Sequence, residues 1–174
     1  MLKETDIYLR PLEPTDATLI LTWENDPKNW SVSGTEVPYA LHQIEAYLEH
    51  AHDVRATKQL RLVICNNETQ EPVGLIDLYD ISFKMKRAGV GILISGEENR
   101  RKGYASQALK SCLNYAYEIL EIDNFYCSIH ASNTSSRALF EKHNFESIGI
   151  RKRWYKVGPN EWEDDYIYQR ILTK

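Results

Sequence analysis

The segment Asn99–Leu109, NRRKGYASQAL, gathers residue types that hold an anion. Arg100, Arg101 and Lys102 carry mobile positive charge, and Gly103 lets the backbone approach a bulky group and take an unusual φ. Ala105 leaves room, and a helical pattern starts at once. The first amides of a helix have no intrahelical partner, and the helix dipole is positive there. A strand, a short glycine loop and a helix start therefore suit a pyrophosphate. Neither the GxxxxGKS/T phosphate loop nor the GxGxxG dinucleotide fingerprint is present. Taken alone, the segment also fits an ordinary loop whose basic residues are solvated.

The elements that must position this loop follow from periodicity. IYLRPL alternates as a first strand and stops at Pro14. Thr15 or Asp16 caps a helix to about Asn25, with Leu19, Ile20 and Trp23 inward. NDPKNWSVSG reads as a loop, and ALHQIEAYLEHA as a helix with Leu41, Ile44, Tyr47 and Leu48 on one side. LRLVIC, VGLIDLYDIS and GVGILIS are strands. After the basic segment comes a helix of about fifteen residues, inward at Ala105, Ala108, Leu109, Cys112, Leu113, Ala116 and Leu120. NFYCSIH is a strand and SSRALFEKHNF a short helix that Asn144 is suited to end. Two late strands lie around Trp154–Lys156 and Asp165–Leu172. The expectation is a mixed α/β fold of about seven strands and about four helices, in a single domain over residues 1–174.

Totals narrow the function classes. The chain has 174 residues, 43% of them apolar and 26% charged, which is globular composition. A net charge of -4 argues against general nucleic-acid binding, which needs a broad cationic face. Cys65, Cys112 and Cys127 are far apart and odd in number, so neither a zinc knuckle nor a disulfide framework is suggested. The start, MLKETDIYLRPLEP, has no apolar signal core, and no long apolar run follows. A cytoplasmic protein with no membrane partner is expected.

Arg100-x-x-Gly103-x-Ala105 resembles the Q/R-x-x-G-x-G/A signature of the GCN5-related N-acetyltransferases, the GNAT family. GVGILIS precedes it where that family has its fourth strand, and NTSSRALFEKHNF resembles the family's N-x-x-S…E-K-x-G-F segment. LRPLEPTDATLILTWENDP and GPNEWEDDYIYQRIL resemble the opening and closing of the branch that acetylates ribosomal-protein N-termini and includes polyamine acetyltransferases. The resemblance implies a mostly antiparallel mixed sheet with a splay between the fourth and fifth strands, and acetyl-CoA as co-substrate. It also implies sites. Arg100, Arg101, Lys102, Gly103, Tyr104, Ala105 and Ser106 would hold the pyrophosphate; Ile92, Leu93 and Ile94 would hold the pantetheine arm through backbone groups, with Gly91 easing the approach. Asn133 would touch the same arm, and Lys142 the adenosine phosphates. The bland alternatives are a core strand, a helix N-cap at Asn133 and a solvated lysine.

The reaction implied is attack of a neutral amine on the acetyl thioester, which needs positioning, an oxyanion donor and routes for protons. Phe140 stands where many members carry a proton-donating tyrosine, and phenylalanine has no proton to give. Ser136 matches a serine that can take that role; water, or a plain first-turn hydroxyl at Ser136, are the alternatives. For the base, Glu24, Glu36, Asp77, Asp80 and neighbouring tyrosines are candidates, with Glu24 and Asp77 put forward. Asp77 and Tyr79 share one strand face, and Asp80 falls on the other. The five histidines show no metal-ligand spacing and read as surface residues, His130 being placed to line the site. Trp154, Tyr155, Trp162, Tyr166 and Tyr168 read as core and hairpin packing, or as walls of an acceptor slot or a dimer interface.

Three acceptors compete: a protein N-terminal amine, a polyamine and another small amine. WENDP and the Phe140/Ser136 pattern favour the first. A polyamine would use carboxylates such as Glu36 and Glu45, but Gly89 stands where similar polyamine enzymes carry an acidic residue. A non-catalytic acetyl-CoA sensor is the alternative from another class. A homodimer is consistent with the resemblance.

Overall fold

The computed structural model describes residues 2–33 and 35–173. The alternating segments form strands β1 (Leu2–Lys3), β2 (Ile7–Pro11), β3 (Leu60–Asn66), β4 (Pro72–Ser82), β5 (Arg87–Ile94), β6 (Asn124–His130), β7 (Glu146–Lys156) and β8 (Trp162–Ile171). Among the described residues they make one eight-stranded sheet in the order β1-β2-β3-β4-β5-β6-β8-β7. Every pairing is antiparallel except β5 with β6. The helices are α1 (Ala17–Glu24), α2 (Pro27–Ser33), α3 (Leu41–His50), α4 (Val54–Thr57), α5 (Tyr104–Glu118) and α6 (Thr134–Lys142).

Period-two alternation sends side chains to two separately covered faces. Ile7, Leu9, Leu62, Ile64, Ile76 and Val90 pack with Ala108, Leu109, Cys112, Leu113 and Ala116 of α5. On the opposite face Tyr8, Val63, Cys65 and Leu75 pack with Trp23 of α1, and Ile20 of α1 meets Ile44 of α3. All three cysteines are free and buried.

Several expectations need correction. The stretch expected as a loop holds α2. Pro27 stands first in that helix and Asp26 Oδ1 accepts from Lys28 N at 3.0 Å, which are helix-start signals in their own right. Asn29 and Trp30 tie α2 back to the carbonyls of Trp23 and Glu24, each at 2.9 Å. Gly34, the end of that stretch, lies outside the described residues. A short α4 was also not foreseen; Asp53 caps it and Lys58, at φ 56°, ends it. The first helix begins as a 3-10 turn at Pro14–Asp16, where the buried Asp16 accepts from Glu13 N and from both terminal nitrogens of Arg10. Leu41 is exposed, and the last two strands are longer than expected. Ala108, Leu109, Cys112, Leu113 and Ala116 of α5 are buried as their spacing predicts, whereas Ala105 is half-buried and Leu120 lies beyond the end of α5; Asn144 ends α6 at φ 59°.

The feature that makes a site is the break between β5 and β6. They pair in parallel from Arg87↔Asn124 to Gly89↔Tyr126 and then part. β5 continues to Ile94 paired with β4, while β6 is paired with β8 as far as His130↔Asp165. Each strand is held along its other edge, so the facing edges beyond Gly89 open into a cleft.

Candidate active site

One end of the cleft leads to the start of α5. After β5 the chain turns at Gly96 (φ 76°), passes a 3-10 turn at Glu97–Asn99 and enters α5 through Arg101 (φ 60°) and Gly103 (φ 82°). Gly103 is the N-cap, and no side chain caps this end. Gln107 N donates to Gly103 O at 3.1 Å, so the amides of Tyr104, Ala105 and Ser106 precede the first helical bond. A Cβ at Gly103 would meet nothing nearer than Gln107 Nε2 at 3.9 Å, so the space beside the turn is open. Arg100, Arg101 and Lys102 are exposed around it. The Tyr104 side chain does not belong to this cradle. It is buried in the core and its hydroxyl accepts from Asn66 Nδ2 at 2.8 Å, leaving only the backbone amide for a ligand. Ser106 Oγ lies 2.8 Å from His143 Nε2, which ties the start of α5 to the end of α6, next to Lys142. Burial, then Arg170, Lys142 and Lys110, hold the His143 pKa below its usual value, so the ring is neutral in this contact.

Ile92, Leu93 and Ile94 form the β5 wall of the cleft. Ile92 and Ile94 pack toward the α5 core, and Leu93 toward Trp23 and Leu75. Asn133 caps α6, its Oδ1 accepting from Ser136 N and Ser135 Oγ, each at 3.1 Å. The capping alternative is therefore realised, and the Asn133 Nδ2 takes no part in that cap. Ser136 is partly buried one turn before Phe140, on the same helix face. Phe140 itself is buried.

Beside β5 lies a cavity of about 510 Å3, shared by Trp23, Glu24, Tyr47, Arg61, Asp77 and Tyr79, with Gly91, Ile92 and Leu93 as its floor. Glu24 and Asp77, separate in sequence, meet here. Both are held by Arg61, whose Nη1 donates to Glu24 Oε1 at 2.7 Å and whose Nε donates to Asp77 Oδ1 at 2.5 Å. Gln59 Nε2 reaches the same Asp77 oxygen at 3.4 Å. Burial works against the Arg61 charge, but Asp77, then Tyr47 and Glu24, outweigh it and the guanidinium stays protonated. Burial likewise raises the Tyr47 and Tyr79 hydroxyls above their usual pKa, so both are neutral donors. Tyr79 lies across Gly89, where a Cβ would sit 2.2 Å from its ring. Glu36 is exposed and does not line the cavity.

Asp80 differs from its expected place. A register shift between Tyr79 and Ser82, with Asp80 at φ 49°, brings its carboxylate to Tyr126, which donates to it at 3.3 Å. Tyr126 in turn meets Tyr79 edge-on at 5.9 Å.

The far bank carries a second polar group. Asp165, fully buried, accepts from Arg151 Nε at 2.7 Å and Ser128 Oγ at 2.8 Å. His130 stacks on Tyr155 at 3.4 Å and its Nδ1 lies 3.3 Å from Glu163. Burial would raise the Glu163 carboxyl, but Ser132 and His130 outweigh it and hold it below the usual range. His130 therefore lines a cavity with Asn133, Trp162 and Glu163 rather than lying free on the surface. Trp154 and Trp162 are exposed, whereas Tyr168 is core.

Arg61, Tyr47 and Gln59 were missed by sequence reasoning. A signal existed for Arg61: it shares strand phase with Val63 and Cys65, both fully buried, and a cation in a buried phase needs partners.

The splay of β5 from β6 leads to an uncapped, glycine-started helix. The acetyltransferase (GNAT) domain family matches residues 6–146. The chain belongs to the GNAT acetyltransferase family. A probable N-acetyltransferase of Bacillus subtilis is 24% identical over 173 residues, covering 96% of this chain and 94% of that protein. A spermidine N(1)-acetyltransferase of Escherichia coli is 27% identical over 148 residues, covering 82% of this chain and 74% of that protein. Among solved structures, a spermidine N-acetyltransferase from Vibrio cholerae in complex with CoA and spermine superposes with a TM-score of 0.85 at 24% identity, covering 97% of this chain and 96% of that one. The fold is the GNAT fold, and this GNAT chain is an N-acetyltransferase that uses acetyl-CoA. No helix among the described residues is long and apolar enough to cross a membrane.

Proposed function

We propose that the chain acetylates a primary amine by direct attack, with the acyl donor in the β5–β6 cleft and the amine entering from the Glu24–Arg61–Asp77 cavity. The observation that carries this reading is that cleft and cavity share one wall, Ile92 and Leu93 of β5. Acetyl-CoA supplies an activated acyl group on a thiolate leaving group.

The chain's residues divide the remaining work. Backbone groups of Ile92, Leu93 and Ile94 hold the pantetheine arm. The amides of Gly103, Tyr104, Ala105 and Ser106 take the pyrophosphate, with Arg100, Arg101 and Lys102 neutralising it and Lys142 reaching the adenosine side. Asn133 offers Nδ2 to the same arm. Glu24 and Asp77 attract and orient the incoming ammonium, and each keeps an oxygen beyond the one Arg61 engages. The proton leaves the amine through one of these carboxylates. Ser136, one turn from Phe140, stands as the donor to the departing thiolate.

For the acceptor, a protein N-terminal amine or another small amine remains the first reading. An archaeal N-alpha-acetyltransferase from Saccharolobus solfataricus, 33% identical over 76 residues and covering 44% of this chain, supports the peptide. A polyamine is the second reading, favoured by the spermidine acetyltransferases among the relatives. We also place the protein in the cytoplasm and expect it to self-associate, a dodecameric Vibrio cholerae spermidine N-acetyltransferase being among the similar structures. Exposed Ile148, Ile150, Trp154 and Trp162 on β7 and β8 support a homodimer through that edge.

The test is release of free CoA thiol from acetyl-CoA against peptides with varied N-termini, polyamines and other small amines. Release with one pool selects the acceptor class. Silence in all three, with acetyl-CoA still raising the melting temperature, would point to a sensor or to an acceptor outside the three pools.

A further inference from the structure

Charge in the acceptor cavity is arranged in an unusual way. Among the described residues that line it, Glu24 and Asp77 are the acidic ones and Arg61 the basic one. Their side chains are only 15%, 17% and 17% exposed, so solvent screens the group weakly. Two carboxylates and one guanidinium leave a single negative charge. One incoming ammonium balances it. A second would bring two cations to one half-buried site beside Arg61, and like charges there are costly. The Arg61 guanidinium is also pinned: Glu24 holds one nitrogen, Asp77 another, and the Tyr47 ring lies 5.5 Å from its centre. It cannot swing away to admit a second cation without leaving both carboxylates.

The remaining described residues of the wall are neutral. Trp23, Tyr39, Tyr47 and Tyr79 give aromatic surface, and Asn29 and Gln43 give amides. The carboxylates that a polyamine reading would use, Glu36 and Glu45, are exposed and do not line this cavity.

We infer that this cavity selects an amine carrying one positive charge on an otherwise uncharged body, and that Arg61 is the residue that excludes a second cation. The inference rests on the acetyl-transfer reading above and names the substrate class of that same site. Arg61 is a specificity-determining residue; it takes no part in the transfer of the acetyl group. Selectivity of this kind comes from a built repulsion rather than from an added attraction.

The experiment compares matched acceptors by CoA thiol release: n-hexylamine against hexamethylenediamine, and alanyl-alanine amide against alanyl-lysine amide. The native protein is expected to favour the singly charged member of at least one pair by about tenfold or more in kcat/KM. Arg61→Met, which keeps an unbranched apolar stem and removes the charge, should bring that ratio to about one or reverse it, and Arg61→Lys should preserve it. A general structural role would lower both members of a pair together and leave the ratio alone. Equal rates for native protein in both pairs, or an unchanged ratio in Arg61→Met, overturn the inference while leaving acetyl transfer standing. If Arg61→Met does not fold, the native ratios and Arg61→Gln decide in the same way. No thiol release with any of the four acceptors would overturn this inference, and the assay against the three amine pools then decides the acetyl-transfer reading separately.

Discussion

Phe140 meets Phe145 edge to face, with ring centroids 4.9 Å apart and planes at 89°. The contact closes the end of α6. Phe145 N donates to Phe140 O at 3.1 Å, Asn144 N donates to Glu141 O at 3.0 Å, and Asn144 takes the left-handed conformation between them. This is a Schellman ending with its apolar pair, and it explains why asparagine serves where the family pattern has glycine. The ring at the position of the usual proton donor thus has a structural task. Phe140→Ala should cost about 3 kcal/mol by denaturant melting.

Ser136 is where the missing proton should be sought. Ser136→Ala should slow turnover by about tenfold or more and leave acetyl-CoA affinity near normal, since its backbone amide still caps against Asn133. Steady-state rates with titration of acetyl-CoA binding check both halves. An unchanged kcat would assign the proton to water.

Gly103→Val should fold and lose the cofactor. At φ 82° a branched residue is strained by about 1–2 kcal/mol, so a lower melting temperature with an unchanged circular dichroism spectrum is expected. Its side chain enters the open space beside the first amides of α5, and acetyl-CoA binding should fall at least about a hundredfold by calorimetry. Normal binding would refute the pyrophosphate cradle.

Gly89→Ala and Gly91→Ala should separate. At Gly89 the new Cβ would lie 2.2 Å from the Tyr79 ring, which must leave the cavity beside β5; at Gly91 the nearest atom is 3.8 Å away. The first variant should raise KM for the amine several-fold and lose about 1–3 kcal/mol of stability, with acetyl-CoA affinity kept. The second should melt near the native temperature. Equal melting temperatures would contradict the close contact.

Asp16 gives the fold a pH dependence. Burial opposes its charge, but the Arg10 guanidinium and the Glu13 amide outweigh burial and hold its carboxyl below the ordinary range. A carboxyl with a depressed folded pKa contributes fully above its unfolded value, about 3.9, and loses that contribution as pH falls through the lower folded value. Asp16→Asn should cost about 1–3 kcal/mol at pH 7, and the gap from the native protein should close as pH falls through the lowered Asp16 value. Urea melts across that range measure it; a gap independent of pH would mean the loss is not ionic.

Local pattern determined a good deal of this protein. The α5 stripe, the strand alternation, the basic turn into Gly103 and the Asn133 cap each depend on neighbours a few residues away, and those neighbours are adjacent in the chain. The family motif lies in the same local stretches, so fold and cofactor class were legible before any contact was known. The α2 helix was legible too, in Asp26 and Pro27, but its turn-rich surroundings masked that start.

Tertiary structure decided which side chains share the cavity beside β5. Arg61 meets Glu24 and Asp77 across separations of 37 and 16 residues, from β3 to the end of α1 and to β4. No spacing rule joins these three positions, because their proximity depends on the register of β3 on β4 and on α1 crossing that face. The same holds for Tyr79 over Gly89, which antiparallel register places opposite each other. Side chains that share a face of a sheet are chosen by strand pairing, and pairing is settled only when the whole sheet forms.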